Sequence, residues 1–116
     1  MTLRQAQGNR ELVCHTGPLW RWTGQSGTGT WHFLTIGGAA GEQLSATALM
    51  RRLEGVKRGW GSLKVTVTLG ESRWTTSVFP QKDDGHTAWL LPVKLAVRKA
   101  EDVVEGDEVT VRVDVL

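Results

Sequence analysis

Apolar and polar positions alternate without a break along "SLKVTVTL", residues 62–69. Leu63, Val65, Val67 and Leu69 point one way, and Lys64, Thr66 and Thr68 the other. "EVTVRVDV", residues 108–115, repeats the pattern, with Val109, Val111, Val113 and Val115 opposed to Glu108, Thr110, Arg112 and Asp114. A period of two is the signature of a strand with one buried face. "SRWTTSVF" follows the first run across Gly70-Glu71, and glycine at the first position of a two-residue loop favours a type II′ hairpin. "TWHFLTI" is apolar on both faces, Trp31 and Phe33 alternating with Leu34 and Ile36, and predicts a well-buried strand. "GPLWRWTG" predicts an edge strand or entry loop with Trp20 and Trp22 on one face, joined to "TWHFLTI" by the glycine-rich turn "GQSGTG". "PQKDDG" reads as a loop and "HTAWLLP" as a further strand.

The period changes twice. In "GGAAGEQLSATALMRRLEG", Ala46, Leu49, Met50 and Leu53 fall at helical spacing and predict one apolar helix face. Gly55 stands just past it as a stop, and Arg51 and Arg52 suit the negative end of the helix dipole. In "VKLAVRKA", Val93, Ala96, Val97 and Ala100 predict a second, shorter amphipathic helix. Gly106-Asp107 predicts the turn into the last strand.

Strands dominate and the helices do not alternate with them regularly, so a doubly wound parallel sheet is excluded. The pattern predicts a mainly β protein: a small half-open barrel with two short helices capping its ends. Closure of the sheet would remove exposed edges. At 116 residues the chain is one domain. The polar, aperiodic start predicts a flexible N-terminal tail over residues 1–16, with the domain spanning 17–116.

Composition narrows the function classes. A net charge of +2 makes the molecule no polycation. The single cysteine, Cys14, excludes an intramolecular disulfide and a cysteine-built zinc site within one chain. His15, His32 and His86 lie in separate segments without ligand spacing, so no metal and no cofactor is expected. No run reaches the roughly 18 apolar residues of a membrane helix, and the start has no secretory pattern, so a cytoplasmic protein without membrane contact is expected. "GGAAG" lacks the Gly-Lys-Ser/Thr of a phosphate loop, and Asp83, Asp84 and His86 offer too few oxygens for calcium.

Two groups of residues carry candidate chemistry. "RRLEGVKRGWGSLK" holds the one marked charge asymmetry. Lys57, Arg58 and Lys64 flank Trp60, an aromatic between two glycines that can stack on a base while the cations meet phosphate; Arg98 can join them. Ser77 and Lys94 are the second group, a Ser-Lys pair if the fold brings them together, with Arg98 beside them in a barrel mouth. Among the six tryptophans, Trp31, Trp74 and Trp89 are expected in the core.

"RGWGSLKVTVTLGESRWTTSVFP" followed by "WLLPVKLAVRKAEDVVEGDEVTVRVDV" resembles domain-of-unknown-function family 1905. The "GTWHFLTI" run and the helix after it fit the same pattern. The resemblance covers about Gly17 to Leu116 and implies a double-split β-barrel of the AbrB/MazE/MraZ-like fold class. It implies no activity and carries over no catalytic residue. The expected function is a non-enzymatic binding module, a monomer or weak dimer, with a nucleic acid or other polyanion as partner. The alternative is a small-molecule or catalytic site in the barrel mouth using Ser77, Lys94 and Arg98.

Overall fold

The alternating runs pair with one another into a closed sheet. The computed structural model describes residues 11–24, 29–55, 61–83 and 86–116. The elements are β1 (Glu11–Thr23), β2 (Thr30–Ile36), α1 (Gly38–Leu53), β3 (Leu63–Leu69), β4 (Ser72–Asp83), β5 (His86–Pro92), α2 (Leu95–Glu101) and β6 (Glu108–Val115). The strands close into one barrel in the order β1-β2-β5-β4-β3-β6, and every neighbouring pair is antiparallel. Mainly β, barrel-shaped and with two short helices is therefore what the chain is. No helix among the described residues is long and apolar enough to cross a membrane.

The two longest strands each change partner half-way. β1 pairs with β6 over Glu11–Pro18 and with β2 over Leu19–Thr23. β4 pairs with β3 over Ser72–Val78 and with β5 over Phe79–Asp83. The chain is thus two β-β-α-β units. Exchanging β1 with β4, β2 with β5 and β3 with β6 leaves every neighbour relation in the barrel unchanged.

Valine and leucine fill the interior, as a barrel this narrow requires. All four inward residues of β3 and all four of β6 are buried, in the register that their alternation predicts. The hairpin at Gly70-Glu71 closes on Leu69↔Ser72, with Gly70 at φ +61°. Gly106, at φ +95°, makes the turn before β6, and its N–H donates to the Leu19 carbonyl at 2.8 Å.

Several expectations need correction. Residues 11–16, expected in the tail, are the first half of β1 and pair with β6. Their alternation is hidden because His15 and Gly17 hold inward positions where apolar residues would show it. "PQKDDG" is no loop, since β4 runs on through Pro80 to Asp83. Proline fits because Pro80 faces β3's side with its nitrogen, beyond the last β3 pair at Leu63↔Val78, and so no ladder donor is lost.

Helix α1 buries Gly41, Leu44 and Thr47, while the predicted face of Ala46, Leu49, Met50 and Leu53 is exposed, Leu53 to 72%. Two periodic stripes compete on this helix, and close approach decides between them. A Cβ on Gly41 would stand 2.7 Å from the Ile36 carbonyl oxygen, so only the small-residue face can seat. In and before α2, Val93 and Val97 are buried as expected, but Ala96 and Ala100 are exposed. Trp74 and Trp89 lie in the core; Trp31 does not, being 53% exposed on the outer face.

Candidate ligand site between β2 and β4

Strand β5 lies between β2 and β4 for only part of their length. Its pairing with β4 ends at Phe79↔Leu90 and with β2 at Phe33↔Pro92. Beyond Pro92 the chain bends away into α2, anchored by Val93 N–H donating to the His32 carbonyl at 2.9 Å. Where β5 has left, the wall between β2 and β4 holds a notch of about 370 Å³, at the lower end of the range for ligand pockets. The connection Pro92–Leu95 and Arg98 form one side, and Trp74, Thr75 and Thr76 of β4 another.

The polar groups around this notch are of one kind. Lys94 is exposed, and half-buried Arg98 is steadied by its Nε donating to the Val93 carbonyl at 3.1 Å. His32 is half-buried, and its Nδ1 is shut off from solvent without a hydrogen-bond partner. Burial first, and then the positive charges of Arg98 and Arg21, hold the His32 pKa below its usual 6.5, with Glu105 acting weakly the other way. Arg21 and Glu105 pair at 3.5 Å, both about half exposed, a contact of little energetic weight. Among the described residues, none of the side chains lining the notch is acidic. Two cations, a histidine and three threonines beside Trp31 and Trp74 suit an anionic group attached to an apolar or planar body.

The sequence-predicted residues fall in three places. Lys57, Arg58 and Trp60 lie outside the described residues. Lys64 is exposed on β3, directly across from Ser77 on β4. Lys94 and Arg98 come together at the notch, whereas Ser77 is not among the side chains that line it. Sequence reasoning missed Thr30, Trp31 and His32 of β2 and Trp74, Thr75 and Thr76 of β4. The available signal was Pro92 followed by Lys94: it stops β5 seven residues after its start, opposite longer β4.

The family described as Domain of unknown function (DUF1905) matches residues 15–113. The chain belongs to the DUF1905 family. No curated protein and no solved structure matches it. DUF1905 membership carries no activity with it, so a function for this DUF1905 barrel rests on the notch itself. Both Lys94 and Arg98, and all the β4 residues that face them, lie within the matched stretch.

Proposed function

We propose that this barrel is a non-enzymatic binding module whose ligand presents an anionic group to the notch between β2 and β4. One observation carries the reading: Lys94, Arg98 and His32, whose Nδ1 has no partner, line one cavity that no acid among the described residues lines. A buried polar atom without a partner costs free energy that a bound ligand recovers. The exchange relation between the two β-β-α-β units supports placing the barrel in the double-split class.

The test is a two-dimensional NMR titration with acetate, benzoate and inorganic phosphate. Cross-peaks of His32, Trp31, Thr75 and Arg98 should move together and saturate, benzoate ahead of acetate because its ring can lie on exposed Trp31. Absence of any coherent shift at these residues up to about 10 mM, far weaker than a functional Kd, would remove the reading. A labelled oligonucleotide that instead shifts Lys64 alone would move the site to the polyanion surface of Lys57, Arg58, Trp60 and Lys64.

A further inference from the structure

The notch is the track that β5 abandons, and the strand edge beside it is open. Two hairpins fix which way the β4 backbone faces. At the β3–β4 turn the closing pair Leu69↔Ser72 exchanges hydrogen bonds, so Trp74, Thr76 and Val78 turn their N–H and C=O groups to β3. At the β4–β5 turn Asp83↔His86 closes the loop, so Gln81 and Phe79 turn theirs to β5. Both hairpins give the same phase. Arg73, Thr75 and Ser77 therefore direct their backbone groups to the β5 side, where the pairing of β4 with β5 stops at Phe79↔Leu90. Among the described residues, no strand pairs with Arg73–Ser77 on that side.

Helix α2 stands beside this edge and does not pair with it. Its C-terminal end is tied to the hairpin by Ser72 Oγ donating to Glu101 Oε2 at 2.5 Å. The other half of the molecule shows what a covered edge looks like. There α1, with 16 residues against seven in α2, packs on both β1 and β5. The corresponding depression, between α1 and Thr87–Ala88 of β5, carries Glu42 and no cation. Among the described residues, only the α2 half combines an unpaired edge with positive charge.

We propose that the notch takes an extended peptide segment, which adds a strand to β4 centred on Thr75, the one of Arg73, Thr75 and Ser77 that lines the notch, and delivers a carboxylate to Lys94, Arg98 and His32. The proposal rests on the ligand-site reading above and names its ligand class. A small anion would answer the cations and leave the edge unpaired. Only a polypeptide repeats donors and acceptors every second residue, about 6.8 Å apart, to match Arg73, Thr75 and Ser77. Natural proteins blunt such edges with charge. Here the charged side chains lining the notch, Lys94 and Arg98, are of one sign, and Glu101 at the hairpin end is held by Ser72, so the notch favours acidic strands over basic ones. The carboxylate comes from an acidic side chain or from a free chain end; the chemistry is the same.

Fluorescence anisotropy with labelled heptapeptides of alternating valine and threonine separates these cases. One carries a free C-terminus, one is amidated, and one is amidated with a central aspartate. A fourth is the best binder with alternate backbone nitrogens methylated on its pairing edge. At least one carboxylate-bearing peptide should bind, and the amidated neutral one at least about tenfold more weakly. N-methylation should weaken binding by a similar factor while leaving the charge unchanged. Lys94→Gln, at an exposed position that folding does not need, should weaken only the carboxylate-bearing peptides. Equal binding of the methylated peptide overturns the strand pairing. Saturable binding of benzoate with no peptide bound overturns this inference and leaves the ligand site standing. Failure of both removes both.

Discussion

His32 holds its imidazole inside the barrel wall, where burial and the nearby charges of Arg98 and Arg21 keep it neutral. A pKa lowered in the folded state means that the unfolded chain takes up the proton first. The stability His32 permits is therefore complete above pH 6.5 and falls as the pH drops from there through the folded-state value. An NMR titration of its ring should give a midpoint below 6.5, and Arg98→Gln should move that midpoint upward without restoring it fully, because burial, the larger cause, remains. A wild-type midpoint at or above 6.5 contradicts the account. Anion binding has the opposite sign: it stabilises the imidazolium, so affinity for a fully ionised carboxylate should rise as the pH falls towards 5. The facing groups are Arg98 from α2, Arg21 from β1 and Glu105 from the turn after α2; Arg21 and Glu105 form their own pair.

Helix α2 depends on very few contacts. Val97 is its buried residue, and Val93 just before it is buried as well. Val97→Asp places a charge against the core and should cost about 3 kcal/mol or more; a thermal melt overlaying the wild type would contradict this. On α1 the two stripes give opposite expectations. Leu44→Ala should cost about 2–5 kcal/mol, whereas Leu53→Glu should change stability by no more than about 0.5 kcal/mol. The reverse order, read by chemical denaturation, would restore the face that periodicity alone suggests. This helix shows where the sequence stops being legible. Strands β3 and β6 could be read residue by residue, because a period of two has one solution. The α1 pattern has two, and the winner is decided by the fit of Gly41 against the Ile36 carbonyl, which exists only once the chain has folded. The site was half legible for a similar reason. Lys94 and Arg98 announce themselves by charge on one short helix. His32, Trp74 and Thr76 become site residues only because β5 stops at Pro92 and uncovers them.

Seen as a whole molecule, the barrel is held shut by β1 and β4, the strands that change partners. Removal of residues 1–16 deletes six of the eight pairs that β1 makes with β6, and should abolish the cooperative thermal transition; a retained transition near the wild-type temperature would mean the barrel closes without that half of β1. Closure is nonetheless incomplete between β2 and β4, and the ligand reading depends on that opening. Amide hydrogen exchange along Ser72–Val78, followed residue by residue in the free protein, measures it most directly. Trp74, Thr76 and Val78, bonded to β3, should exchange slowly. Arg73, Thr75 and Ser77 should exchange at least about tenfold faster, in strict alternation, and should slow when a carboxylate-bearing peptide saturates the notch. Uniform protection of all these amides in the free protein would show the edge already occupied and would contradict the account.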